Sequence, residues 1–126
     1  MGKPVDENEW LYRRGYSKPE KNYMNPDGTA TSRVFKLREK EKELSVDVKS
    51  MTSPEVSIKD PQRFMLFEIA HRQVLDLSLL AVHDPLPNEH SLETNPAHAL
   101  IVGMDIEDEI TPGLLAKASR RVLWQP

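Results

Sequence analysis

The chain reads as an α+β domain: a single small mixed or mostly antiparallel sheet packed by two main helices. Three observations predict it. Runs of strand character at 10–14, 33–37, 44–48, 77–82 and 97–104 are interrupted by helical segments only twice, a distribution that suits one sheet with helices against it. Asp60-Pro61 and Thr111-Pro112 each place proline at a first helical position ahead of an apolar segment. A length of 126 residues makes one domain with room for one core.

Residues 1–9 are polar and are expected as a flexible N-terminal arm, with residues 10–126 forming the single α+β domain. Trp10-Leu11-Tyr12-Arg13-Arg14 is the first strand-like run, closed by Gly15. From Gly15 to Ser32 the chain carries Pro19, Pro26 and the turn Asn25-Pro26-Asp27-Gly28, so a turn-rich loop is expected. Arg33 to Leu37 reads as a short strand. The alternating charges of Arg38 to Glu43 suit a solvated turn. Leu44-Ser45-Val46-Asp47-Val48 alternates strictly, so Leu44, Val46 and Val48 should face the core and Ser45 and Asp47 the other side.

Ser53-Pro54 opens a short helix with a hydroxyl cap. Pro61 to Asp76, apolar on nearly all sides, is expected as the central helix, with His71 a satisfied core histidine. Leu77 to Val82 and Ala97 to Met104 read as buried strands, separated by a loop that holds Pro85, Pro87 and Pro96. A last helix from Thr111 to Leu123 would carry Lys117, Arg120 and Arg121 near its C-terminal end, where the dipole favours cations.

Composition then narrows the function classes. With no cysteine, disulfide frameworks, thiolate metal sites and cysteine nucleophiles are excluded, and a reducing, cytoplasmic setting is expected. No apolar run approaches the length of a membrane span, and the first residues lack a secretory apolar core, so no membrane partner is expected. A net charge of −3 argues against a nucleic-acid partner. Charge is segregated: 11 cations meet 9 acids in residues 1–50, against 6 and 11 in residues 51–126. No phosphate loop, nucleophile elbow or paired-histidine metal motif is present.

Candidate residues fall into three groups. His83, Asp84 and His98 flank the proline-rich loop and offer metal-ligand types, but their spacing matches no ligand pattern, so no metal and no cofactor are assigned. Trp10, Tyr12, Arg13 and Arg14 are aromatic and cationic together, the composition of binding hot spots, with Trp124 and Gln125 a second aromatic-polar pair. Arg13, Ser45, Asp47 and His98 would form a polar constellation if their strands converge. An arginine on a first strand with a serine on a later one loosely resembles the layout of ADP-ribosyltransferase-like folds. That resemblance implies an arginine on phosphate and a serine on ribose, although no catalytic glutamate is placed by motif.

A second resemblance covers residues 10–103. Val34-Phe35-Lys36-Leu37-Arg38, Leu44-Ser45-Val46-Asp47, Asp84-Pro85 and Asn95-Pro96-Ala97-His98-Ala99 through Ile101 and Gly103 resemble a group of small prokaryotic proteins of unassigned activity. These share an F-x-LR … LSVD … NPAHA-x-I-x-G pattern, and Val34 departs from it where a small residue is expected. The resemblance implies a compact bacterial or archaeal domain and marks Arg38, Ser45, Asp47, Asn95 and His98 as its polar positions.

The functional expectation is a small cytoplasmic accessory or binding protein that contacts another macromolecule, a protein partner above all, through the N-terminal arm and the 15–32 loop, with Trp10, Tyr12 and Arg13 as anchors. A defence-associated or antitoxin-like partner is a special case of it. The alternative is a small enzyme or nucleotide-binding domain acting on a phosphate-containing substrate, with Arg13 and Arg38 on the phosphate and Ser45, Asp47 and His98 beside it. Convergence of these groups on one concave pocket separates the two.

Overall fold

The computed structural model describes residues 2–39 and 41–124. The fold is α+β. Six strands, β1 (Trp10–Tyr16), β2 (Leu44–Val48), β3 (Phe64–Ala70), β4 (Leu80–His83), β7 (His98–Val102) and β8 (Arg120–Val122), form one sheet in the order β4-β7-β2-β1-β3-β8. All its pairings are antiparallel. Two further strands, β5 (Leu86–Asn88) and β6 (Ser91–Asn95), make a separate hairpin. The helices are short: α1 (Pro54–Ile58), α2 (His71–Asp76) and α3 (Thr111–Ala118). None is long and apolar enough to cross a membrane, among the described residues.

The period-two alternation of the strands sorts side chains onto two unlike faces. One face carries Leu11, Leu44, Val46, Val48, Phe67, Ile69, Ala99 and Ile101, and it is sealed by Val34, Phe35, Val74 and Leu115. The other carries a small apolar cluster of Tyr12, Leu66 and Ile58, with Phe64, Val122 and Trp124 packed on it. Beside that cluster the second face is polar. Register places Arg120, Glu68, Tyr12, Asp47 and His98 in one row across five strands.

Several expectations are corrected. The expected helix over Pro61–Asp76 is a turn, a strand and a helix. Asp60 spends its capping groups on a single turn, its carboxylate accepting from Gln62 N and its carbonyl from Arg63 N and Phe64 N. Phe64–Ala70 then lies between β1 and β8 with apolar groups required on both faces, and such a continuous run has no helical or strand period of its own. Only His71–Asp76 is helical.

The expected strand 33–37 is a tight 3-10 turn, Ser32–Phe35. Adjacent Val34 and Phe35 are both fully buried, which an alternating strand with one solvated face does not allow. Within the expected loop 84–96 the β5–β6 hairpin forms. The last helix stops at Ala118, where Ser119 turns extended and β8 pairs with β3, bringing Arg120 to the buried Glu68 carboxylate.

Residues 3–5, expected within a loose arm, lie along β4: Val5 N donates to Ala81 O and His83 N to Lys3 O. This covers an edge that would otherwise be open. His71 ties the same segment down from inside the core, its Nε2 accepting from Ala81 N and its Nδ1 donating to Asp6 O. As expected, it is a satisfied core histidine, with no exposure.

Candidate functional site

The polar half of the second sheet face is roofed by the β5–β6 hairpin on one side and by the segment after Leu37 on the other. Between them lies a half-open cleft of about 820 Å³. That volume is within the ~300–1,000 Å³ range of small-molecule sites. Its floor comes from β1, β2 and β7.

Asp47 anchors the floor. It is buried, and its oxygens accept from Ser57 Oγ at 2.7 Å and Asn95 Nδ2 at 2.9 Å, so one carboxylate ties α1 and β6 to β2. Asp47 is therefore not a solvated position. It does lie on the face away from the main core, but α1 and β6 cover that part of the face. Arg14 Nη1 donates to Ser57 O at 2.8 Å and stands 3.9 Å from the Asp47 carboxylate. Burial lowers the Arg14 guanidinium from its ordinary value, and Asp47 opposes this. Asn95 Oδ1 also accepts from Ala97 N, which fixes the bend into β7.

Arg13, opposite in parity, points through the other face and is 2 % exposed. Its Nε donates to Val34 O at 2.7 Å, its Nη1 to Ser45 O at 2.9 Å and its Nη2 to Lys36 O at 3.1 Å. Glu41 takes the remaining fork at 2.8 and 3.1 Å. Glu41 also accepts from the backbone N of Arg38 and of Ser45. Burial would raise the Glu41 carboxyl, but the Arg13 hydrogen bonds and charge, with these two backbone donors, hold it below its ordinary value. Every donor of Arg13 is thus spent on the fold. It is not a phosphate grip, contrary to its candidate role.

Arg38 is what this scaffold presents. Its guanidinium stands 5.4 Å from the Tyr16 ring centroid and 5.5 Å from that of Tyr23, and Nη2 donates to Arg14 O. Its Nε is buried with no partner, and no carboxylate pairs with it, among the described residues. Ser45 lines the same cleft. His98 lines it too, with Nδ1 2.8 Å from Asp84 O and 3.1 Å from Asp84 Oδ2. Lys59 pairs with Glu93 across the α1–β6 side, which holds the Glu93 carboxyl below its usual range.

Tyr12, Arg13, Arg14, Arg38, Ser45, Asp47, Asn95 and His98 all line this one cleft, although every guanidinium donor of Arg13 is turned to the fold. The aromatic anchors are engaged in packing to different degrees. Tyr12 is buried in the second cluster, and Trp10 is half-buried with Arg120 stacked 4.3 Å from its ring. Trp124 also packs on that cluster, and Gln125 lies outside the described residues. In the 15–32 segment Tyr23 and Ala30 are buried in the main core. His83 does not line the cleft, and no three metal-ligating side chains gather among the described residues.

No family model, curated protein or solved structure matches the chain. Two parts of the site carry little signal in the sequence. Glu41 sits in a run of alternating charge that carries no signal of burial. Asp84, which meets the His98 ring, stands out in the sequence only as a metal-ligand type and in the Asp84-Pro85 step of the prokaryotic pattern.

Proposed function

We propose that the chain binds a small phosphate-bearing compound in this cleft, with Arg38 as the principal anion grip. The observation that carries the reading is the state of Arg38: a cleft-lining guanidinium whose Nη1 has no protein partner and which makes no salt bridge, among the described residues, its Nη2 being held by Arg14 O and its Nε buried. A planar guanidinium fork matches phosphate oxygens two at a time, and such charge-assisted bonds are the strong ones. The Ser45 hydroxyl supplies a further donor nearby. Asp84 adds acceptors suited to the hydroxyl groups of a sugar or nucleoside, so a phosphorylated sugar or nucleotide fits better than a bare anion. The five polar positions of the prokaryotic pattern, Arg38, Ser45, Asp47, Asn95 and His98, all line the cleft, which supports the same reading. A macromolecular contact centred on Trp10, Tyr12 and Arg13 is less well supported, because these side chains are engaged in packing.

Calorimetric titration with inorganic phosphate, AMP and ribose 5-phosphate tests the proposal. At least one is expected to bind, and Arg38→Met is expected to weaken it about 10- to 150-fold, the worth of hydrogen bonds to a charged group. Lys117→Met, on the exposed side of α3, should bind like the unaltered protein. Absence of binding by the folded chain, or equal binding by Arg38→Met, overturns the reading.

A further inference from the structure

We infer that the cleft is hydrolytic as well as binding, with His98 as general base toward water and Asp84 as the residue that positions it. This rests on the phosphate-binding reading above and adds a reaction to it.

The geometry begins with a cross-strand pair. Asp84 N donates to His98 O at 2.9 Å, and the His98 ring returns across the same pair to Asp84 O at 2.8 Å. A carbonyl oxygen only accepts, so Nδ1 carries the ring proton and Nε2 carries the lone pair. The Asp84 carboxylate lies 3.1 Å from the same Nδ1 and is itself held by Asn88 Nδ2 at 2.9 Å. The ring is thus oriented by main chain and carboxylate together, as an aligned base is. Nε2 has no protein partner among the described residues, and the residue lines the cleft.

Register places Asp47 directly opposite His98, and Ser45 two residues along the same strand. Ser45 is therefore a diagonal neighbour, at roughly 7–8 Å between strands, a gap that a phosphoryl group and a water fill. Of the other nitrogen side chains that line the cleft, Arg14 is turned to Ser57 and Asp47, Lys59 to Glu93 and His90 to Glu89.

For a phosphate monoester the step is as follows. Nε2 takes a proton from water as the water oxygen forms a bond to phosphorus. The ester P–O bond breaks, its electron pair leaves on the alcohol oxygen, and that oxygen takes a proton from solvent through the open side. His98 then gives its proton to solvent. Water and ester are consumed, alcohol and phosphate are formed, and no oxidant, reductant or metal enters the balance.

The test uses the full chain with para-nitrophenyl phosphate, whose phenolate leaves without an acid. Turnover above buffer is expected, with kcat about 10²–10⁴-fold lower in His98→Gln at unchanged KM, the range of general-base catalysis. Arg38→Met should instead raise KM. His98→Ala, checked for an unchanged melting temperature, should regain turnover when imidazole is added, which a purely structural histidine would not allow. Binding of phosphate or AMP without any turnover overturns the catalytic inference and leaves the binding reading standing. Absence of both ends both. Turnover that survives in His98→Gln also overturns it.

Discussion

Replacing Arg13 by alanine is expected to destabilise the domain by about 3–5 kcal/mol, the cost of removing one partner from a buried ion pair. The substitution leaves the Glu41 carboxylate without its counter-charge and strips donors from the carbonyls of Val34, Lys36 and Ser45. Domains of this kind hold only about 5–15 kcal/mol in all, so much of the stability is at stake. Urea denaturation of the two proteins reads the difference directly, and a change below about 1 kcal/mol would contradict the assigned role. Glu41→Gln should be non-additive with Arg13→Ala, since the two side chains share one network.

The same pair sets an acid limit. Glu41 titrates below its ordinary value when folded, so its contribution is present above the unfolded value, about 4.3. It is lost as pH falls through the lower folded value. Stability measured from neutral pH downward should therefore fall below about pH 4, and that limb should flatten in Glu41→Gln.

Phe67→Ala carries the second large effect, again about 3–5 kcal/mol. Phe67 is fully buried on the core face of β3. Its ring fills space that Gly15 leaves open: a Cβ at Gly15 would lie 3.3 Å from the Phe67 ring and 3.0 Å from the Tyr23 ring. Little can collapse into the void, because sheet neighbours on both sides are fixed by backbone pairing. Leu92→Ala, on a hairpin residue that is 94 % exposed, should stay within about 0.5 kcal/mol in the same assay.

These residues also show how far local pattern reaches. Leu44–Val48 was legible because one face of β2 is core and the alternation says so. His71 was legible as a core histidine, and Ser53-Pro54 as a helix start: Ser53 Oγ accepts from Val56 N, as an N-cap does. Phe64–Ala70 was misread because a strand with apolar cover on both faces has no two-residue period to display. Asp84–Asn95 was misread because its prolines suit a loop and a hairpin alike.

The candidate site divides the same way. The residue types of the cleft, Arg38, Ser45, Asp47, Asn95 and His98, stood out in the chain, and the α+β class followed from element order. Where each of two neighbouring arginines turns was decided by the sheet, whose parity sends the Arg13 guanidinium to Glu41 in the interior and that of Arg14 to Ser57 and Asp47 on the cleft face. Likewise, the pairing of β4 with β7 brings Asp84 to His98. Local sequence determines which chemical groups exist and where helices and half-buried strands begin, because capping and alternation act over a few residues. Partnership across 14 residues for Asp84 and His98, or 28 for Arg13 and Glu41, is settled by strand order and burial, which no local pattern encodes.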